Sequence, residues 1–167
     1  MDLDKELDKT KKEIFRFEAL QEYFSDGSDE LENEINRQWK ETGKIDMNTD
    51  LMKDWHDFIK AKVEKGVKFT WVRLLSFPLN EYTKSEIYIF KKRVKYGINI
   101  MLINKEKFNT LKIDFKDFYL LDGKALLMNY GKSNEYLGCE CDKNSEKYKG
   151  YKDLLINNSI PIKDYVF

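Results

Sequence analysis

DFYLLDGKALLMNYGKSNEYLG, residues Asp117 to Gly138, holds two short apolar runs, FYLL and ALLMNY, on either side of Asp122-Gly123. Asp-Gly between apolar runs is a hairpin signal, because a two-residue turn needs positive φ at both positions, which Gly adopts freely and Asp tolerates. A second turn signal, Gly131 to Asn134, leads into Tyr136-Leu137-Gly138-Cys139. Three short antiparallel strands are therefore expected over residues 118 to 141.

Working outward from the hairpin, Asn99–Asn104, NIMLIN, reads as a buried strand, being short and almost wholly apolar. Val67–Leu75, VKFTWVRLL, alternates and is rich in β-branched and aromatic residues, and it ends before Pro78. Between these strands Glu81–Gly97 reads as a helix, with Tyr82, Ile87, Phe90 and Val94 inward and a basic set outward. Strand, helix, strand with short connections implies a parallel pair. A helix capped by Thr49-Asp50 is expected over Leu51–Lys65, with Leu51, Trp55, Phe58, Ile59 and Val63 on one face and Gly66 ending it. Another helix is expected over Ser145–Asn157. After it comes a tail, Pro161 to Phe167, whose Ile162, Tyr165 and Val166 are expected to pack back.

Residues 2 to 24 place Leu3, Leu7, Ile14, Phe17, Leu20 and Phe24 at helical spacing, and the turn formers Asp26-Gly27-Ser28-Asp29 follow. A short helix is expected over residues 29 to 41, with Trp39 as the apolar anchor among acidic neighbours. The expected architecture is α/β (α+β). A single mixed sheet of about five strands combines a strand-helix-strand unit with a β-hairpin meander, flanked by helices. Residues 1–48 form a helical arm and 49–167 the core domain.

The chain has 167 residues, enough for one domain with a sizeable core. Its 30 basic and 30 acidic side chains cancel, so no general attraction to nucleic acid or an anionic membrane is expected. No apolar run is long enough to span a bilayer, and MDLDKELDKTKKE lacks the apolar region of a secretion signal, which implies a cytoplasmic protein. The two cysteines, Cys139 and Cys141, are expected to be free thiols, because a bridge between alternate residues of one strand would be strained. His56 is the only histidine, lies off the apolar line of its helix, and is read as exposed or half-exposed. No pattern for a metal or another cofactor is present, nor any Ser-His, Cys-His or Walker arrangement.

Two stretches, WVRLLSFPLNEY with Glu86 downstream and DFYLLDGKALLMNYGKSNEYLG, resemble a family of uncharacterised bacterial proteins defined only as a domain of unknown function and often encoded beside helix-turn-helix regulators. The resemblance implies a fold and a setting, with no mechanism attached. The second stretch is also similar in layout to half of a phospholipase-D-like domain. With Asp122 set on that motif's Asp, its Lys position is Asp117 and its His position is Phe115, so the nucleophile and its cationic partner are both missing. The resemblance thus implies a relative that kept the sheet and lost the reaction.

Among candidate site residues, Asp117 and Asp122 could act as a carboxylate pair. Five residues of extended chain would hold them about 16 Å apart, too far to share a proton or a metal. Their structural reading is a turn for Asp122, and a cap or a salt bridge to Arg73 for Asp117. Arg73, Tyr82 and Glu86 form the better cluster: Tyr82 and Glu86 share a helix face, and an Arg in an apolar strand must find a partner or a ligand anion. A ligand pocket of Arg73, Tyr82, Glu86, Asp117 and Asp122 is the sharper expectation, and an Arg73–Glu86 pair at the sheet's edge the simpler one. Lys84, Lys91, Lys92, Arg93 and Lys95, beside Tyr88 and Tyr96, make a weak candidate for single-stranded nucleic acid, more simply a solvated face. The function expected is a non-enzymatic binding or regulatory module, acting on a small ligand or through a partner such as a DNA-binding regulator, with Trp39 as the docking residue and a homodimer left open. The alternative is a phosphodiesterase or nuclease of the phospholipase-D-like class.

Overall fold

The computed structural model describes residues 1–24 and 30–165. In chain order the elements are α1 (Leu3–Lys9), β1 (Glu13–Glu18), α2 (Glu30–Thr42), α3 (Asp50–Glu64), β2 (Lys68–Leu75), α4 (Glu81–Arg93), β3 (Asn99–Asn104), α5 (Lys105–Thr110), β4 (Phe118–Leu121), β5 (Lys124–Tyr130), β6 (Tyr136–Asp142), α6 (Ser145–Asn158) and β7 (Ile160–Pro161). Short 3-10 turns follow α4 and β7. The expected turn at Asp26–Asp29 and the inward roles of Leu51 and Val166 lie outside the described residues.

The strands form one mixed sheet in the order β6-β5-β4-β1-β2-β3-β7. β1, β2 and β3 run parallel, while β4, β5, β6 and β7 join antiparallel. The sheet has seven strands where five were expected, and the additions are β1 and β7. The larger correction concerns Glu13–Glu18. Expected to be helical within residues 2 to 24, it is instead the strand at the middle of the sheet, so the segment expected to be an arm supplies the centre of the core.

Both faces of the sheet are covered over β1 to β5, which is why β2, β3, β4 and β5 read as largely apolar runs. Ile14, Trp71, Ile100 and Leu126 pack on one face with Leu7 of α1, Ile59 of α3 and Phe90 of α4. On the other, Phe15, Phe17, Val72 and Leu127 pack with Phe108 of α5 and with Tyr148 and Leu155 of α6. The Thr49 hydroxyl caps α3 by accepting from the Met52 N–H. Helix α2 has no fully buried residue and lies over α3 and α4, where the Trp39 ring stands 5.9 Å from that of Tyr88 and its Nε1 donates to Glu81 at 3.1 Å.

The hairpin forms as its chemistry dictates. Leu121 pairs with Lys124, and Asp122 and Gly123 between them both have positive φ, +49° and +87°. Asp122 also anchors a distant segment, since its carboxylate accepts from the backbone N–H groups of Lys11, Lys12 and Glu13 at 2.8–2.9 Å and so fixes the start of β1 beside the turn. These bonds hold its carboxyl below the usual range, against the effect of burial.

Candidate functional site: paired charges under a tyrosine-lined cavity

Strand β1 alternates, so Ile14, Arg16 and Glu18 share the face covered by α1, α3 and α4. Arg16 stands opposite Tyr119 of β4 and Trp71 of β2, and its guanidinium lies 4.6 Å and 5.1 Å from the two ring centroids. An arginine held between two ring faces is stabilised on both sides by cation–π attraction. It donates from Nε and Nη2 to Glu18 Oε1, at 2.8 and 2.5 Å. The other Glu18 oxygen accepts from Trp71 Nε1 at 2.7 Å and sits 3.9 Å from Arg73 Nε.

Arg73, opposite Glu18 in the register, is fully buried. It donates from Nε and Nη2 to Glu86 Oε2 at 3.0 and 2.7 Å, and from Nη1 to the carbonyls of Leu20 and Leu74. The expected Arg73–Glu86 pair is present, but on an interior strand under α4 and not at the sheet's edge. Burial pushes the Glu86 carboxyl up, and the Arg73 guanidinium opposes it. Asp117 is 2% exposed and makes no salt bridge to Arg73. It accepts from the Ala19 N–H at 2.8 Å and from the hydroxyls of Tyr23 at 2.5 Å and Tyr130 at 3.4 Å.

Above this floor stands a file of tyrosines. Tyr23 lies 6.1 Å from Tyr82 and 5.3 Å from Tyr130, which is 6.0 Å from Tyr136. They wall a cavity of about 700 Å³ that reaches Arg16 and Glu18. A smaller space of about 190 Å³ under α4 adjoins it, the two sharing Glu18, Glu32 and Tyr82 as walls. Such concave, aromatic-lined space with a few convergent polar groups is the usual form of a ligand site.

The structure thus brings Arg73, Tyr82 and Glu86 together, and links Asp117 to them through Tyr23. Asp122 stands at the other end of β4, occupied by backbone N–H groups. Of the basic set, Lys84, Lys91, Lys92 and Lys95 are exposed, whereas Arg93 is buried and Val94, expected inward, is 37% exposed. Trp39 contacts Tyr88 and Glu81 of the same chain. Arg16, Glu18, Tyr23 and Tyr130 were not among the residues expected at the site, nor was Arg93 expected to be buried. The signal that would have found the first two is the alternation Ile14-Arg16-Glu18 against Phe15-Phe17.

His56, expected to be exposed or half-exposed, is 4% exposed, stacked on Tyr96 at 4.6 Å, and among the described residues its Nε2 has no hydrogen-bond partner. Burial, with Arg93 and Lys95 adding repulsion, pulls its pKa from 6.5 down to about 4. The unfolded chain therefore binds the proton first. The stability this group contributes is complete above pH 6.5 and is lost as pH falls through about 4. His56→Phe, which keeps the ring on Tyr96, is expected to flatten the fall in melting temperature between those two values; identical pH profiles for the two proteins would contradict the assignment.

Among the described residues, no group of three or more His, Cys, Asp or Glu could hold a metal ion, and no helix is long and apolar enough to cross a membrane. Cys139 is buried, Cys141 exposed, and both are free thiols. A family model described as a domain of unknown function, DUF6879, matches residues 1–167. No curated protein and no solved structure matches the chain.

Proposed function

Because the chain belongs to the DUF6879 family, whose role must be read from the site itself, we propose that it is a non-enzymatic binding module that takes a small ligand into the tyrosine-lined cavity and conveys occupancy to a partner protein, such as a DNA-binding regulator. The observation that carries this reading is that the charged groups on and behind the cavity wall are already engaged. Both oxygens of Glu18, the guanidiniums of Arg16 and Arg73, and both oxygens of Asp117 are engaged with one another, with indole or phenol donors, or with backbone. A general base or nucleophile has to exchange partners during a reaction, and groups bound in this way serve to shape and rigidify a pocket. Phe115 and Asp117, where a phospholipase-D-like motif would place its His and Lys, fit the same reading of a sheet kept without its reaction.

The test has two arms. The purified protein is incubated with bis-p-nitrophenyl phosphate and with labelled nucleic acids, with and without Mg²⁺ or Mn²⁺; turnover that disappears in Asp117→Ala would overturn the reading. Native mass spectrometry of protein purified from its source, with Tyr130→Ala alongside, is expected to show a bound small molecule that the variant loses.

A further inference from the structure

Among the described residues, the arginines on this face each have a carboxylate of their own except one. Arg16 is paired with Glu18 and Arg73 with Glu86. Arg93, at the end of α4, is 8% exposed, its Nε has no hydrogen-bond partner, and among the described residues it forms no ion pair. Burial pulls its pKa from 12.5 down to about 10, with Glu18 and Glu86 opposing, so it remains a cation at neutral pH. A buried guanidinium without a direct ion-pair partner is unfavourable, and among the described residues Glu18 and Glu86 act on Arg93 through the field alone, with no contact. The side chain lines the cavity of about 190 Å³, together with Trp71, Tyr82 and Glu86, and that space adjoins the tyrosine-lined one.

We propose that Arg93 is the anchor of a binding site for a small monocarboxylate, whose carboxylate pairs with the guanidinium in the inner space while its apolar or aromatic body lies among Tyr82, Tyr23 and Tyr130. The inference rests on the binding role proposed above and names the chemistry of its ligand. Planar carboxylate matches the planar fork of arginine and brings one charge. A phosphate dianion brings nearly two into walls that also hold Glu18, Glu32 and Glu86, so it is disfavoured by repulsion. The tyrosines, with Met128 and Leu137 beside them, suit a body that is apolar and flat.

The experiment uses the full chain and three probes: 3-phenylpropionate, its uncharged amide 3-phenylpropionamide, and inorganic phosphate. Calorimetry is expected to show the acid binding about 10–100-fold more tightly than the amide, with phosphate weaker than the acid. Arg93→Met is expected to remove that preference and, without any probe, to melt about 2–4 °C above the parent, because it relieves an unpaired buried charge. A merely structural arginine would give the opposite shift, a lower melting temperature. The Arg Nε–H resonances of the unmodified protein, followed during titration with the acid, provide a readout that needs no variant. Equal binding of acid and amide would remove Arg93 from the site yet leave the tyrosine-lined cavity as a binding site. Absence of binding by all three probes, or destabilisation by Arg93→Met with the acid preference retained, overturns the proposal, and neither result depends on the turnover assay above.

Discussion

Glu86→Ala is expected to destabilise the protein by about 3–5 kcal/mol, the range found when one partner of a buried ion pair is removed and the other stays behind. Arg73 is fully buried, and both donors it directs at Glu86 would be left facing a void. Two backbone carbonyls would still accept from Nη1, but carbonyls do not neutralise the charge. The double replacement Arg73→Met, Glu86→Leu removes both charges and substitutes apolar volume, so it is expected to lie within about 1–2 kcal/mol of the parent. Urea denaturation of the three proteins measures this. An unchanged midpoint for Glu86→Ala would mean that the arginine draws its stability from Glu18 and the carbonyls alone.

A loss of comparable size, about 3–5 kcal/mol, is expected for Glu18→Ala. This carboxylate serves three groups at once: Arg16, the Trp71 indole, and, at 3.9 Å, Arg73. Its removal leaves one guanidinium and one indole N–H without acceptors on a covered sheet face. A double-mutant cycle with Trp71→Phe isolates the indole bond, with a coupling of about 1–2 kcal/mol expected. A coupling near zero would show that the indole finds another acceptor once Glu18 is gone.

What could be read from the sequence divides along one physical line. The hairpin, β2, β3, α3, α4 and α6 were legible because local chemistry specifies them: Asp-Gly for the turn, alternating branched residues for β2, a capping threonine for α3. Arg73 stood out because it interrupts an otherwise apolar strand. β1 was illegible for the converse reason. Its sequence, EIFRFE, places charges at positions that face a covered side of the sheet. Arg16 and Glu18 therefore look like the solvated side of an amphipathic helix, and only their partners on Trp71, Tyr119 and Arg73 show otherwise. Arg93 was hidden in the same way, as the last of three consecutive basic residues. In each case the missing information was tertiary, since the pairs join segments that only the complete sheet brings together.

The place of β1 in the sheet also governs how the molecule comes into being. The strand is made before either of its neighbours, one of which begins at Lys68 while the other ends at Leu121. Until synthesis has passed the hairpin, one edge of β1 has no partner, and Phe15 and Phe17 have no Phe118 to meet. Pairings so distant along the chain are slow to close, and an open apolar strand is the kind of edge on which nascent chains associate. A ribosome paused ahead of Phe118 would therefore hold a chain whose central strand is made and unprotected, and the hairpin acts, in effect, as the guardian of a strand made long before it.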